Sequence, residues 1–505
     1  MSSMRKGSPP ALHTLILAAG EGKRMRSARV KLLHEVAGDP MVRIVARVAR
    51  ELKPQTLAVV VGTQAEEVRA ALETFSIEFV TQNPPLGTAH AVMQAEPLMR
   101  RLAGGLKGGR GTLLILNGDL PLITAAVLKR LLKQHRASGA AATVLSTVVA
   151  DPSGYGRIVR GASGGLARIV EDRDAEAAEK RIVEINAGLY CAEMPVLFDA
   201  LRRTGRGNAQ GEYYLPDIFP LLAKRGLIVE AYRHPVAEEV LGVNDRSELA
   251  AASRILWRRR ADALMASGVS VVDPSCTYIG SDVEVGPDTV IWPQARIEGR
   301  TSIGAGCSIG SLAHIMDSII GDDVTVRNMC VISDSRVERG ARVGPFAHVR
   351  PGTVIEEAAH IGNFVEVKKS RIGRGSKANH LAYVGDATVG ADCNIGAGTI
   401  TCNYDGVRKH PTILEDGVFI GSDTQLVAPV RLGRGAYIGA GSTITKDVPG
   451  GALALTRAEL RIIPGWAERR RAQQAAEDAG TTGNTVKSAP AATPAGRPKT
   501  RRGKR

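Results

Sequence analysis

From Ile279 to Ile444 the chain carries a six-residue repeat of aliphatic residues, held in several registers. Ile279, Val285, Ile291, Ile297, Ile303, Ile309 and Ile315 follow without a slip, and after a five-residue step the beat resumes at Ile320, Val326 and Ile332. It runs on from Val337 through Val343, Val349, Ile355 and Ile361 to Val367, and a last register holds Leu414, Ile420, Leu426, Leu432, Ile438 and Ile444. Glycine often follows the aliphatic residue, as in Ile279-Gly280, Ile303-Gly304 and Ile420-Gly421. An α-helix cannot use this period, because successive sixth positions rotate off any one face. A parallel β-helix can: each short strand turns one aliphatic side chain inward, and the small residues let the chain turn the corner. Three hexads close one triangular coil, so Ile279, Ile297 and Ile315 are expected to stack in one column. An aromatic content of only 4% suits such a core of Ile, Val and Ala.

The N-terminal half follows a different rule. Thr14-Leu15-Ile16-Leu17 reads as a short buried strand ending in Ala18-Ala19-Gly20, Leu57 to Gly62 as a second, and Thr112 to Leu116 as a third that runs into Asn117-Gly118-Asp119. Helices fit Pro40 to Leu52, Ala65 to Leu72 and Ala89 to Leu102. Such alternation predicts a mostly parallel sheet covered by helices, with ligands at the carboxyl ends of the strands. Gly20 and Asp119 both belong there. Gly20-Glu21-Gly22-Lys23-Arg24-Met25 is a glycine-rich loop with two cations, and Lys31 follows. Exposed backbone N–H groups and cations suit phosphate oxygens. The Walker A pattern GxxxxGK[ST] and the dinucleotide pattern GxGxxG are both absent. Asp119 fits two roles equally: a carboxylate that holds Mg²⁺ against a triphosphate, or the N-cap of a helix starting near Leu122.

The solenoid's beat breaks at Asn403 to Pro411, a polar segment that cannot form a hexad and is expected to loop out, as functional segments of rigid scaffolds do. His380 stands just upstream among small and polar residues. Histidine ionises near working pH, about 6.5 unperturbed, which suits a general base. Alone it reads as a wall residue.

At this point the motifs carry a resemblance. Leu17-Ala18-Ala19-Gly20-x-Gly22-x-Arg24-Met25 with Lys31 resembles the signature of sugar-nucleotide pyrophosphorylases. Leu86-Gly87-Thr88-Ala89-His90-Ala91, Asn117 to Leu122, Gly154 to Ile158 and Glu184 to Gly188 narrow it. With Arg350-Pro351-Gly352, Gly362 to Lys369, Lys377 to Tyr383 and Asn394 to Gly406, the chain from Thr14 to Trp466 resembles the bifunctional bacterial N-acetylglucosamine-1-phosphate uridyltransferase / glucosamine-1-phosphate acetyltransferase family.

The resemblance implies an α/β Rossmann-like nucleotidyltransferase domain followed by a left-handed parallel β-helix of hexapeptide repeats. It implies a homotrimer through the β-helix and synthesis of UDP-N-acetylglucosamine for cell-wall precursors. Leu17, Ala18, Ala19, Gly20, Gly22, Arg24 and Lys31 would hold UTP, and Gln82, Gly87 and Thr88 would read the uracil. Gly156, Glu171 and Asn186 would hold the acetylated sugar, and Asp119 and Asn244 would bind Mg²⁺. In the solenoid His380 would be the base for acetyl transfer, oriented by Glu366. Arg350, Glu366, Lys368, Tyr383, Asn394 and Lys409 would hold the amino-sugar phosphate. Asn403, Tyr404, Ser422, Ala440 and Arg457 would meet acetyl-CoA. Three features depart from the family pattern: Val30 stands where proline usually precedes Lys31, Pro84-Pro85 stiffens the loop after Gln82, and one extra residue lies between Gly156 and Glu171. The alternatives are a single-activity pyrophosphorylase with a regulatory solenoid, and a non-catalytic scaffold of the same folds.

The expected organisation is a disordered 1–12, a uridyltransferase domain at 13–245, a connecting helix at 246–268 ending at Gly268, an acetyltransferase β-helix at 269–460, and a basic, mostly disordered tail at 461–505. Leu249, Ala252, Leu256, Ala263 and Leu264 should form the helix's apolar stripe, and Arg258-Arg259-Arg260 a solvated patch. Net charge is +15; Glu468 to Arg505 contributes ten Lys/Arg and three Asp/Glu, or +7, leaving +8 for the body. Such a tail reads as solvated rather than as a nucleic-acid arm. The six cysteines show no paired spacing and read as reduced thiols. With no apolar run of membrane length and no secretory leader, the chain is expected in the cytoplasm.

Overall fold

The structure is a computed structural model that describes residues 10–20, 22–62, 65–102 and 111–482. The expected disorder of residues 1–9 and 483–505 lies outside the described residues, as does the Lys23 side chain. The chain divides into two units, Met1–Leu455 and Thr456–Arg505.

The first half builds a mixed sheet whose strands lie in the order Val229–Arg233, Ala142–Val148, Glu184–Glu193, Gly111–Asn117, Ala11–Ala18, Thr56–Val61 and Glu78–Thr81. Ala11–Ala18 runs parallel to both neighbours, Thr56–Val61 and Gly111–Asn117. The chain thus leaves this strand toward opposite sides of the sheet, which opens a crevice at its carboxyl end. The strands are apolar through their length because both faces are covered: Leu15 and Ile115 join one core, Ile16 and Leu116 the other. The expected helix Ala89 to Leu102 is two helices, Thr88–Gln94 and Glu96–Leu102. Pro97 has no N–H to donate and its ring crowds the carbonyl four residues back, so the helix breaks and restarts.

The second half is the solenoid. Its short parallel strands stack into three sheets of eleven, ten and nine strands, wound as a left-handed β-helix. Ile279, Ile297, Ile315, Ile332, Val349 and Val367 are in direct register, coil upon coil. All are buried in one continuous core. Residues 403–411 leave the coils between the strands Ile400–Cys402 and Thr412–Leu414, as their polarity predicts.

One helix, Arg246–Ala266, joins the halves. Asp245 caps it by accepting from the Ser247 and Glu248 amides, and Gly268 turns the chain at φ +94°. Its first half packs Ala252, Leu249 and Leu256 on Val36, Met41 and Leu122 of the sheet domain. Its second half buries Ala261 and Leu264 in the solenoid core. Ala263, expected in the stripe, is exposed, and Ala261 takes its place. Nor are the three arginines a solvated patch. Arg258 pairs outward with Asp262, but Arg259 donates to the Leu122 carbonyl and Arg260 to the Val283 carbonyl. The helix changes partners midway, so its buried face turns with it.

Within the second unit, Trp466–Thr482 is a helix, where the sequence suggested disorder. Ala, Glu, Arg and Gln are strong helix formers, and polarity alone argued only against a core. Its described side chains are exposed.

Candidate functional sites

The crevice at the end of Ala11–Ala18 is a cleft of about 1060 Å³. Leu17, Ala19, Gly20, Gly22, Arg24, Lys31, Gln82, Gly87, Thr88, Asp119, Glu171 and Asn244 all line it. They come from separate strand ends, so only the folded sheet assembles them. Gly22 sits at φ +61°, where a side chain would strike Lys31. The helix near Leu122 is capped by Thr124, whose hydroxyl accepts from the Val127 amide, so Asp119 is free of that role. It faces Lys31 instead, Nζ to Oδ2 2.5 Å, and the same Nζ donates to Asn244 Oδ1 at 2.9 Å. Arg24 donates to that Asn244 oxygen as well, also at 2.9 Å. Two oxygens and two cations thus converge at one end of the cleft.

Glu171 lies at the other end. Gly156 packs against it so closely that a Cβ there would stand 3.1 Å from Oε1. Burial first, then the nearby Asp174, Asp217 and Asp172, push its carboxyl up to about 7. Asn186 adjoins through its amide, which donates to the Gly156 carbonyl at 2.8 Å. Its side chain is committed elsewhere: Nδ2 donates to the Tyr190 hydroxyl at 2.7 Å and Oδ1 accepts from Gly188. Ala18 is buried in the sheet's core behind the loop. Asn117, Gly154, Arg173, Gln210 and Glu212 also line the cleft and were not among the candidates. Asn117 was legible as the strand end before Asp119; the others sit on loops without periodic signal.

In the solenoid, His380 is exposed at a corner and its Nδ1 lies 2.7 Å from Asn363 Oδ1, on the preceding coil. Glu366 does not orient the imidazole: it pairs with Arg350 at 2.7 Å. The sheet register explains the exchange, because Asn363 pairs with His380 while Glu366 pairs with Tyr383 on the adjoining face. An acceptor on Nδ1 fixes the tautomer that leaves Nε2 as a base.

Continuing the strand registers past Lys377–His380 brings Ser422 and Ala440 under the same corner, two and three coils from His380. At about 4.8 Å per coil the column extends roughly 14 Å, a track for a long, thin ligand. At the far edge of the adjoining face stand Arg350, Lys368 and Lys409. Lys409, then Arg350, hold the Lys368 ammonium below the usual lysine value, the mark of cations crowded together, with Asp386 opposing them. Asn403 donates to Asp386 at 2.5 Å and lies 3.5 Å from the Tyr383 hydroxyl. Tyr404 closes the excursion by donating to the Gly406 carbonyl at 2.6 Å, and its strand bridge to Lys409 sets the loop. Asn394 faces outward between Lys377 and Phe419. Arg457 belongs to the second unit.

Comparison with known proteins agrees with both halves. The family model described as MobA-like NTP transferase domain matches residues 14–201, and the bacterial transferase hexapeptide model (six repeats) matches 411–446. The chain is similar to the bifunctional protein GlmU of Geobacillus sp. (strain WCH70), 49% identical over 446 residues, 88% of this chain and 95% of that one. It is also similar to the GlmU of Anaeromyxobacter sp. (strain Fw109-5), 48% identical over 496 residues, 97% of this chain and 98% of the relative. That of Heliobacterium modesticaldum is 48% identical over 456 residues, 90% and 98% of the two chains.

Proposed function

The chain belongs to the GlmU family of bifunctional proteins, and from that premise we propose how its two sites make UDP-N-acetylglucosamine. The chain is a nucleotidyltransferase and an acetyltransferase. It transfers acetyl from acetyl-CoA to glucosamine-1-phosphate in the solenoid, then uridylyl from UTP to the acetylated sugar phosphate in the sheet domain. The observation that carries the site assignment is the single cleft that gathers glycine loop, cations, Asp119 and Glu171.

In that cleft Arg24 and the Gly20–Gly22 loop hold the phosphates, and Gln82, Gly87 and Thr88 meet the base. The sugar phosphate oxygen attacks the α-phosphorus of UTP and pyrophosphate leaves, so the protein's work is positioning and charge neutralisation. Asp119 and Asn244 would hold Mg²⁺, and the residues fit: their oxygens already converge on one cationic nitrogen, and magnesium takes one or two protein oxygens beside substrate phosphates. When bound, the ion neutralises the triphosphate. Lys31, beside both oxygens, would be placed to meet a phosphate oxygen.

Glu171 accepts from the sugar's hydroxyls best as a carboxylate. With its ionisation raised to about 7, the protonated form dominates below that value. The KM for N-acetylglucosamine-1-phosphate is therefore expected to fall as pH rises through about 7, and Glu171→Gln to flatten that profile; an unchanged profile in the variant removes Glu171 from the sugar site.

In the solenoid His380 takes the proton from the sugar amine as that nitrogen attacks the thioester carbonyl, and the coenzyme thiolate leaves. Arg350, Lys368 and Lys409 hold the sugar's phosphate; Ser422 and Ala440 line the path of the coenzyme. One chain leaves this face open, and a ladder of exposed apolar corners, Leu312, Met329, Phe346, Phe364 and Leu381, runs beside it. Those features support a homotrimer through the β-helix, with acetyl-transfer sites between subunits. Among the described residues no helix is long and apolar enough to cross a membrane, which fits a cytoplasmic enzyme.

The test incubates purified protein with glucosamine-1-phosphate, acetyl-CoA, UTP and Mg²⁺. UDP-N-acetylglucosamine detected by mass is the expected product; acetylated sugar phosphate without the nucleotide sugar, or neither, rejects the two-site assignment.

A further inference from the structure

Gln82 touches a histidine that the phosphate chemistry does not need. We propose that His90 is a positioning residue: it fixes which end of the Gln82 amide faces the base, and so makes the site choose uracil over cytosine. The proposal rests on the uridylyl-transfer reading.

Gln82 Nε2 lies 3.0 Å from the Gly87 carbonyl and 3.1 Å from His90 Nδ1. A carbonyl only accepts, so the amide atom beside it has to be the nitrogen. The nitrogen's second hydrogen then goes to Nδ1, which must carry a free lone pair. Both amide hydrogens are committed. Among the described residues Oε1 has no partner, and the side chain lines the cleft. The group offered to the base is therefore an acceptor. Uracil presents a donor, N3–H, where cytosine presents an acceptor.

His90 is itself held in place. With Nδ1 accepting, the proton sits on Nε2; the Gln94 amide one helical turn on lies 3.1 Å from Nε2 through its nitrogen, and turned end for end it sets its oxygen to accept that proton. The Tyr213 ring stacks against it, centroids 6.3 Å apart and planes 26° apart. The nearest charges are indirect: Arg206 lies over Tyr213 at 5.7 Å, and Glu212 packs against Gly87. Burial holds the imidazole below the ordinary histidine value, so the neutral acceptor is the resting form. Protonation would set Nδ1–H against the Gln82 amide hydrogens. Turning the amide to relieve that brings Oε1 against the Gly87 carbonyl. Either way the acceptor is no longer firmly presented to the base.

The experiment measures kcat/KM for UTP and for CTP, with N-acetylglucosamine-1-phosphate, in wild type, His90→Phe and His90→Asn across a pH series. His90→Phe keeps a ring for Tyr213 but removes the acceptor; its UTP/CTP ratio is expected to fall about tenfold, the worth of one hydrogen bond. His90→Asn, whose amide oxygen stands near the position of Nδ1, is expected to restore the ratio. The wild-type ratio should drop as pH falls below the ordinary histidine range, while that of His90→Asn stays flat. Equal losses for both nucleotides in His90→Phe would make His90 a packing residue and overturn the proposal. If His90→Phe does not fold, the two pH series decide alone, and parallel curves overturn it. A wild type indifferent to UTP and CTP would instead remove the uridine reading, and the proposal with it.

Discussion

Alanine at His380 lowers acetyl transfer by a factor on the order of a hundred or more, the usual worth of a general base, and leaves uridylyl transfer near wild type. The imidazole is exposed at a corner, so its removal opens no cavity in the core. Its Nδ1 is committed to Asn363, which frees Nε2 to accept the amine proton. The nucleotide cleft shares no residue with this corner, and the coils keep their own core of stacked Ile and Val. The measurement runs each half-reaction separately, with glucosamine-1-phosphate for one and N-acetylglucosamine-1-phosphate for the other. Unchanged acetyl transfer would make His380 a wall residue. Equal damage to both reactions would mean that the sites are coupled.

Alanine at Asp119 abolishes uridylyl transfer and spares acetyl transfer. Asp119 is the carboxylate facing Lys31 in the cleft. Without it the proposed Mg²⁺ site would keep only the neutral Asn244 oxygen, and the charge on the leaving pyrophosphate would go unneutralised. Two measurements check this. Pyrophosphate release should vanish, and the Mg²⁺ dependence of UTP binding, followed by calorimetry, should weaken or disappear. Release at the wild-type rate would remove Asp119 from the metal site. A loss of release with the Mg²⁺ dependence intact would keep it in the cleft but as a partner of Lys31 alone.

Much of this was legible in the residues. A period of six admits few folds, so the solenoid, the column through Ile279, Ile297 and Ile315, and the polar excursion at 403–411 follow from spacing. The strand ends at Gly20 and Asp119 follow from alternating apolar runs, and the crevice between them from parallel topology. Local rules that carried no partner information were less secure. Alternation could place a helix over Ala89 to Leu102 but weighed Pro97 too lightly, and low apolar content hid a helix at Trp466–Thr482 that needs no core to form.

The sequence by itself determined which residue types recur and at what period, and hence the two architectures and their candidate sites. Only the tertiary structure decided who touches whom. Asn363 rather than Glu366 holds His380, because that contact is set by coil-to-coil register across 17 positions. Thr124 caps the helix that Asp119 might have capped, which leaves Asp119 to Lys31. Arg259 and Arg260 fasten the connecting helix to both halves although their triplet reads as surface charge. These are contacts between segments distant in sequence. Each depends on the direction a side chain takes once the backbone is fixed, which neither period nor composition encodes.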